Sequence, residues 1–600
     1  MFQGKTFIVF LLIFISTLFL LNSCKTDSNK TSDPKVENQS FTVVSHLNNE
    51  PDMLNPIISV SGYTRSVTNL IFSNLVHYDT KTLELAPMLA KSIPESKMIE
   101  EGEYKGKISR TYEIHETAVW SDGKPVTGHD VDFSLKAVMN PKVPAAQYRS
   151  FSNEFKDIII DESNPKKFSI ISTEYFLGDF IFADIPVFPA HIFDAKGLMK
   201  NFTIKQLSNA EVANKLGETD ERLQEFATQF TSENFMRDKN FIKGSGPYEL
   251  MEWQTGQQII LKKKENWWGD ALAAKYPLLQ AIPQEIVFRP IIDPTTAVTE
   301  LKSGSIDVMS MIAPQQYEEL KNSTQGKAEL NFFEPEVLQI YYIGINTNRP
   351  KLADKRVRKA LAYLVNKEEV ISTIMSGYGR PIVSPIHPSK SEYNQKLPPI
   401  NLDIEKAIGL LKEAGWEDTN GNGIVDKMID GERTELRLEY LASRGGRGGR
   451  IGELMIENAK RAGVDIQMLS KELTLVRTKM SNRDYDLATG AWGQDPSIYD
   501  FYQNWHTDND VPTGGNRFSF GDEKSDELIE KIRSRISSTE RKKLYDEMQQ
   551  IIYDEQPCIF LLAPKARMAV SKKFDFVPSI RKPNIFENEF ILNKSEATNN

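Results

Sequence analysis

The second half of the chain alternates between helix-like and strand-like patterns of apolar and polar residues. Asp354 precedes a basic stretch with one apolar stripe, and Asp403 opens a second such stretch that Gly415 closes. A third helical pattern covers 451–462 and is followed at once by the alternating residues 464–468. A capping side chain, an apolar stripe and a terminal glycine indicate a helix, whereas strict alternation indicates a strand. These helix-then-strand units predict a sheet covered by helices, and therefore an α/β fold.

Further helices are predicted where a capping residue stands before an apolar stripe. Thr127 and Asp130 form a capping-box pair at the start of a helix that Pro141 stops. Asn366 and Ser537 cap two others in the same way. No internal repeat is visible, so these elements are expected to build one large folded body.

The N-terminal segment predicts the compartment. Residues 6–23 form a strongly apolar run that is shorter than the ~20 residues needed to span a bilayer, and the run ends at Cys24 in the order Leu-Asn-Ser-Cys. This pattern predicts a lipoprotein signal peptide over 1–23, lipidation of Cys24 and a disordered tether over 24–39. The alternative is an uncleaved signal anchor. The folded body is expected in the cell envelope, attached to a membrane surface in the periplasm or at the cell surface.

Composition removes several other classes of protein. One further cysteine, Cys558, lies in an apolar run, so neither a disulfide framework nor a thiolate metal cluster is expected. The seven histidines are scattered without a metal-ligand spacing, and the net charge of −9 argues against nucleic acid as a partner. With 40% hydrophobic and 10% aromatic residues, the chain is suited to a large globular core.

Seven short strings follow one another along the chain at spacings that are typical of one family. They are LNP at 54–56, LAPMLA at 85–90, VWSDGKPVTGHDV at 119–131, GSGPYELMEW at 244–253, YIGINTNRPKLADKRVRKALAYLVNK at 342–367, GYG at 377–379 and EKAIGLLKEAGW at 405–416. In this order the chain, from about 41 to about 591, resembles the family 5 extracellular solute-binding proteins. These are the dipeptide, oligopeptide and nickel receptors of ABC importers.

The resemblance implies a two-lobed α/β clamp, the class II periplasmic-binding-protein fold in its large three-subdomain form, with two strand crossovers. The crossovers are expected near 337–345 and 557–565. Lobe I then combines 40–336 with 566–600 and contains an inserted subdomain at about 81–235. Lobe II covers 337–565.

The resemblance also implies that Asp495 receives the ammonium group of a peptide. Residues 490–496 (GAWGQDP) resemble the tryptophan-to-aspartate loop of the family, in which Trp492 supplies a flat wall for ligand side chains. The ammonium needs a carboxylate partner because an isolated buried charge costs several kcal/mol. Alternatively, Asp495 only caps a turn before Pro496, and Trp492 belongs to the core.

An anion site is expected in residues 443–450 (SRGGRGGR), because glycines let a ligand approach the backbone and the N–H groups at a helix start favour negative charge. Arg444 falls where dipeptide-binding relatives carry a carboxylate-binding arginine, and Arg447 is the second candidate. A solvated, flexible loop is the alternative. In lobe I, Leu54 and Asn55 are expected to line the cleft as in relatives. The alternative is that the Asn-Pro pair only forms a turn and has no role in binding.

One segment has part of the pattern of a calcium loop. The oxygen donors Asp418, Asn420, Asn422 and Asp426 stand at positions 1, 3, 5 and 9, but Ile429 occupies position 12, where a calcium loop has a bidentate glutamate. A hairpin turn is the alternative interpretation, and no metal or other cofactor is expected.

The function implied by the resemblance is capture of short peptides by hinge closure, for an ABC permease complex, by a lipid-anchored monomer. One alternative keeps the fold and changes the solute to a nickel complex, haem or an oligosaccharide. Another is a sensing or scavenging module without a transporter. A peptide hydrolase is a minor alternative, because the chain has no GxSxG, HExxH or phosphate-loop motif. We therefore expect a binding protein and not an enzyme.

Overall fold

The computed structural model describes residues 40–59, 61–149, 154–173, 185–512, 514–534 and 536–593. The predicted signal peptide, Cys24 and the predicted tether lie outside these ranges. Within them, no helix has the length and apolar character to cross a membrane.

The described residues form both strands and helices along the whole chain. The strands are β1 Thr42–Leu47, β2 Val76–Tyr78, β3 Leu85–Pro87, β4 Ser96–Met98, β5 Ile108–Glu113, β6 Phe155–Ile160, β7 Lys167–Ser172, β8 Tyr248–Gln254, β9 Gln258–Lys263, β10 Glu285–Pro290, β11 Val308–Met309, β12 Leu330–Phe333, β13 Gln339–Ile345, β14 Gly379–Pro381, β15 Asp426–Ile429, β16 Glu432–Glu435, β17 Arg437–Ser443, β18 Asp465–Lys471, β19 Leu487–Gly493, β20 Cys558–Pro564, β21 Met568–Ser571, β22 Phe574–Asp575 and β23 Ile591–Leu592. The helices are α1 Gly62–Ile71, α2 Gly128–Met139, α3 Ala146–Arg149, α4 Ala190–Phe193, α5 Ile204–Leu207, α6 Ala210–Thr219, α7 Glu221–Phe230, α8 Glu233–Arg237, α9 Pro294–Lys302, α10 Pro314–Asn322, α11 Thr324–Glu329, α12 Lys355–Tyr363, α13 Lys367–Glu369, α14 Ile404–Glu413, α15 Arg447–Arg461, α16 Leu473–Ser481, α17 Tyr502–Trp505, α18 Glu523–Arg533 and α19 Ser538–Glu555.

Two large sheets organise the fold into two lobes. Lobe I contains the seven-stranded sheet of order β12-β21-β11-β1-β10-β9-β8 and a separate four-stranded sheet of order β4-β5-β7-β6. Lobe II contains the six-stranded sheet of order β14-β20-β13-β19-β17-β18. Separate apolar clusters cover the two faces of this second sheet, one including residues of α12, α14 and α15, the other including residues of α16, α18 and α19. The predicted α/β fold with two lobes is confirmed.

Two chain segments connect the lobes and pair with each other. The first linker, 334–338, joins β12 to β13, and the second, 565–567, joins β20 to β21. The N–H of Val337 donates to the carbonyl of Pro564 over 3.0 Å. The N–H of Ala566 donates to the carbonyl of Pro335 over 2.8 Å. The linkers therefore form a short two-stranded ladder, which is a suitable pivot for lobe motion.

The predicted helix starts in lobe II are confirmed by their caps. The carboxylate of Asp354 accepts a hydrogen bond from a main-chain N–H in the first turn of α12, and Asp403 does the same for α14. Asn366 and Ser537 cap α13 and α19 in this way. Gly415 has the left-handed backbone (φ +83°) expected of a residue that ends a helix.

Helix α15 begins at Arg447, four residues before its predicted start at 451. Its first turns need glycine for packing. A Cβ on Gly448 would come within 2.9 Å of Thr489, and a Cβ on Gly452 within 2.6 Å of the Tyr440 ring. Glycines that disfavour an isolated helix thus let this one lie directly on β17 and β19.

Glu587 makes folding stability depend on pH. Its carboxyl is buried in lobe I and accepts a hydrogen bond from Ser45 Oγ over 2.7 Å. Burial raises the pKa of Glu587 to about 7. The pKa of Glu587 is thus higher in the folded protein than in the unfolded chain, where it is about 4.5. The stabilisation from this group, about 3 kcal/mol, is therefore fully present below pH ~4.5 and is lost as pH rises through about 7.

Glu587→Gln is therefore expected to leave thermal stability at pH 5 nearly unchanged and to raise the melting temperature by several degrees at pH 8. The glutamine retains an acceptor for Ser45 but cannot ionise. Thermal melts at the two pH values test this, with the exposed Glu432→Gln as the matched control. A Glu587→Gln melting curve that follows the wild-type curve at both pH values would contradict the expectation.

Candidate functional site

The edge of the lobe II sheet that faces the linkers brings the candidate residues together. Strands β17, β18 and β19 are parallel, and β13 is antiparallel to both β19 and β20. The carboxyl ends of four strands and the start of β13 therefore meet at one edge. The loop after β19 carries Asp495, the connection from β17 to α15 carries Arg444, and α15 begins with Arg447. Open α/β sheets bind ligands outside the carboxyl ends of their strands, so this edge is the candidate site.

The loop that carries Asp495 is held tightly to the first linker. The N–H of Gln494 donates to the carbonyl of Leu338 over 2.8 Å, and its side-chain Nε2 donates to the carbonyl of Pro385 over 2.6 Å. The buried Lys390 donates from Nζ to the carbonyl of Asp495 over 3.0 Å. These bonds fix the backbone at Asp495, so its side chain has a defined starting position for a ligand.

The carboxylate of Asp495 is open, and a cation of lobe I lies near it. Asp495 is exposed, and in the described part of the chain its carboxylate makes no hydrogen bond. The Nζ of Lys582 lies 3.3 Å from the position that a Cβ would take on Gly493. Although Lys582 is exposed, protein atoms around it displace water and lower its pKa, an effect that the charge of Asp495 partly offsets. A ligand ammonium at Asp495 would thus compete with Lys582 for the same carboxylate.

Trp492 is half-buried in an aromatic cluster. Its ring centroid lies 4.1 Å from that of Tyr342 and within 6.3 Å of those of Trp505 and Phe518. Its indole Nε1 is buried and makes no hydrogen bond within the described ranges. Most of the ring therefore packs on lobe II, and only the exposed remainder is available as a wall for a ligand.

The two candidate arginines differ in their surroundings. The side chain of Arg444 is 71% exposed and lies 3.3 Å from the carboxylate of Glu472, which is equally exposed. Arg447 is the first residue of α15, and its Nη1 donates to Tyr341 Oη over 3.4 Å, which brings it across the sheet edge to β13. Arg447 thus points toward the linkers, whereas Arg444 pairs on the side of β18.

The family is shown by comparison with known sequences. The model of "Bacterial extracellular solute-binding proteins, family 5 Middle" matches residues 84–512. The chain belongs to this family. The resemblance carried by the seven strings is thereby confirmed.

Relatives cover nearly the whole of this solute-binding protein. The oligopeptide-binding protein AppA of Bacillus subtilis is 24% identical over 96% of each chain. The dipeptide-binding protein of Escherichia coli is 24% identical over 87% of this chain and 89% of its own. The crystal structure of NikA from Brucella suis in complex with Fe(III)-EDTA is 18% identical, with a TM-score of 0.70 over 92% of this chain and all of that one. This last likeness shows the shared fold.

Leu54 and Asn55 lie in the interior of lobe I of this family member. Leu54 is fully buried, and Asn55 is 1% exposed. The side chain of Asn55 accepts a hydrogen bond from the N–H of Ile57 over 3.1 Å and donates to the carbonyl of Phe230 over 3.4 Å. The LNP string therefore packs and caps a turn, and neither side chain has surface to offer a ligand.

The oxygens of the DxNxNG segment are already bonded within the protein. Asp418 accepts hydrogen bonds from three main-chain N–H groups of its own loop, and Asp426 accepts them from Thr419. Asn422 donates to Glu435 over 2.6 Å, and the segment leads into the hairpin of β15 and β16. In the described ranges, no group of three or more His, Cys, Asp or Glu residues is placed to hold a metal ion. These contacts favour the hairpin-turn interpretation.

Sequence reasoning missed two residues at the candidate site, Lys582 and Arg567. Arg567 is the last residue of the second linker, and Lys582 follows it in the part of the chain that has returned to lobe I. Neither stands in one of the seven strings, and only the return of the chain beside the sheet edge of lobe II places them there. No sequence signal marked them out.

Proposed function

We propose that this solute-binding protein captures short peptides between its lobes and delivers them to an ABC permease. The open carboxylate of Asp495, fixed beside the first linker on the same sheet edge as Arg447, carries the proposal. A peptide presents an ammonium and a carboxylate, and both need partners when water is removed. The names of the oligopeptide- and dipeptide-binding relatives support this choice of solute.

Binding proceeds by closure of the two lobes. Lobe I comprises 40–336 with 566–600, and lobe II comprises 337–565. The inserted subdomain at about 81–235 belongs to the first of these. A ligand held by both lobes makes more contacts in the closed state than in the open state, so it shifts the population toward closure. In this mechanism Asp495 binds the ammonium, Arg447 binds the carboxylate, and the exposed part of Trp492 contacts ligand side chains. No bond of the peptide is broken.

The protein acts in the cell envelope as a lipid-anchored monomer. A lipid on Cys24 holds it to a membrane, and residues 24–39 form the flexible tether to the folded body. The apolar run before Cys24 and the polar composition after it support this part of the proposal.

Incubation with a mixture of tripeptides distinguishes a receptor from a hydrolase. The mixture is expected to raise the melting temperature of the protein, because a ligand that binds only the folded state stabilises it. Mass spectrometry of the mixture after overnight incubation is expected to show unchanged peptide masses. Cleavage that increases with protein concentration would contradict the receptor function, and a melting temperature that no peptide raises would contradict peptide as the solute.

A further inference from the structure

A second arginine, from lobe I, lies at the junction of the lobes. Arg567 belongs to the second linker, is 5% exposed, and donates from Nε to the carbonyl of Ile312 over 2.6 Å. Its guanidinium lies 5.0 Å from the ring centroid of Tyr378. Across the described ranges, no carboxylate lies within 4 Å of Arg567, and its two Nη groups make no hydrogen bond. These Nη groups are not fully enclosed, so they retain contact with solvent.

Arg447 of lobe II approaches the same place. Burial lowers the pKa of Arg567, and the positive charge of Arg447 lowers it further. The nearby acid Glu318 is engaged by the hydroxyl of Tyr378. The two guanidinium groups, one from each lobe, therefore lie close enough for their charges to interact, and within the described ranges no carboxylate lies within 4 Å of either. Such an arrangement is unfavourable when water is removed, unless an anion enters.

The start of α15 adds to the positive potential at this point. The helix is 15 residues long, begins at Arg447, and has Gly446 in the N-cap position without a side chain that accepts its first N–H groups. Unsatisfied N–H groups and the helix dipole both favour a negative charge there. The buried guanidinium of Arg567 is a separate observation that indicates the same kind of ligand.

We propose that Arg447 and Arg567 form a two-guanidinium clamp that binds one carboxylate of the ligand and thereby joins the two lobes. Arginine suits this role because its planar donors match a carboxylate in pairs. Since each lobe supplies one guanidinium, a carboxylate that contacts both connects lobe I to lobe II. The clamp rests on the proposed peptide function and adds that a ligand carboxylate is the group that drives closure.

The test compares a tripeptide library with free C-terminal carboxylates against the same library as carboxamides. Wild-type protein, freed of bound ligand, is expected to bind the free acids about tenfold to a hundredfold more tightly than the carboxamides, the range of a charge-assisted hydrogen bond. In Arg567→Gln this preference is expected to fall to a few-fold, with carboxamide affinity unchanged. Arg447→Gln is expected to behave in the same way, and it replaces an exposed side chain, so it serves if Arg567→Gln does not fold. Arg461→Gln replaces an exposed arginine at the opposite end of α15; it is the matched control and is expected to keep the full preference.

The outcomes separate this clamp from the wider function. An unchanged preference in both Arg567→Gln and Arg447→Gln overturns the clamp while peptide capture stands. Equal affinity of wild type for free acids, carboxamides and carboxamides ending in Asp or Glu also overturns it. Wild type that binds neither library contradicts peptide capture itself. A third library of carboxamides ending in Asp or Glu identifies the source of the carboxylate. Tight binding of that library by wild type and its loss in Arg567→Gln support the clamp with a side-chain carboxylate as its ligand.

Discussion

Asp495→Asn is expected to weaken peptide binding about tenfold to a hundredfold, the range for a charge-assisted hydrogen bond, and to leave the melting temperature of the ligand-free protein within about a degree. The carboxylate is exposed and makes no hydrogen bond within the described residues, so folding loses little when it is replaced. Binding loses the charge that pairs with the peptide ammonium. Isothermal titration with a tripeptide library and a thermal melt measure the two effects.

Lys582→Gln is the informative companion to this variant. Its ammonium lies in the same part of the site and interacts with Asp495, so its removal is expected to strengthen peptide binding several-fold. If Asp495→Asn lowers the melting temperature as severely as it lowers affinity, Asp495 serves the fold. If Lys582→Gln also weakens binding, the two side chains do not compete for one carboxylate.

Gly244→Ala is expected to destabilise the protein by about 3 kcal/mol or more, the range for overpacking against atoms that cannot move. A Cβ on Gly244 would lie 2.1 Å from the carbonyl oxygen of Ile71 at the end of α1. That carbonyl also accepts the N–H of Gly246 over 2.8 Å, so it cannot shift without loss of this hydrogen bond. The GSGPYELMEW string therefore begins with a glycine that the packing of lobe I requires.

Thermal or urea unfolding measures this effect against a matched glycine. Gly409 lies inside α14, and a Cβ there meets no atom within 4 Å. Gly409→Ala is expected to leave stability unchanged or to raise it by up to about 1 kcal/mol through helix propensity. A Gly244→Ala protein that unfolds at the wild-type midpoint would show that lobe I accommodates the clash.

Local signals in the sequence predicted the helices well because they act over three or four residues. The caps at Asp354 and Asp403 needed only their own first turns to be recognised. The start of α15 was missed because Gly448 disfavours a helix when only its own segment is considered. Its lack of a Cβ allows the helix to pack closely against Thr489, and this contact is not visible in the local sequence. Packing between distant elements thus decided where α15 begins, a boundary that the pattern placed four residues late.

Burial of single side chains was harder to predict than the elements that carry them. The lysines at 262–264 suggest a solvated strand edge, yet Lys264 is half-buried and donates from Nζ to the carbonyl of Gly244. Loss of water around its ammonium lowers the pKa of Lys264 to about 7. Leu54 and Asn55 were placed in the cleft by analogy and lie in the core. In both cases the decision depends on which neighbour covers the side chain, and a strand or loop pattern does not contain that information.

The sequence predicted the lobe II part of the candidate site but not the residues that the end of the chain brings to it. The loops of Asp495 and Arg447 are brought to one edge by parallel strands, a placement that the alternating pattern of helices and strands favours. Lys582 and Arg567 reach that edge only because the chain returns to lobe I after β20. Their approach depends on tertiary structure, and no motif announces it.

Identification of the ligand that co-purifies with the protein tests peptide capture most directly. The protein is purified gently from its expression host and then denatured, and the released small molecules are analysed by mass spectrometry. A set of short peptides, present in proportion to the protein and reduced in amount in a parallel Asp495→Asn preparation, is the predicted result. Release of a metal chelate, haem or an oligosaccharide in place of peptides would contradict peptide capture while leaving the two-lobed fold intact.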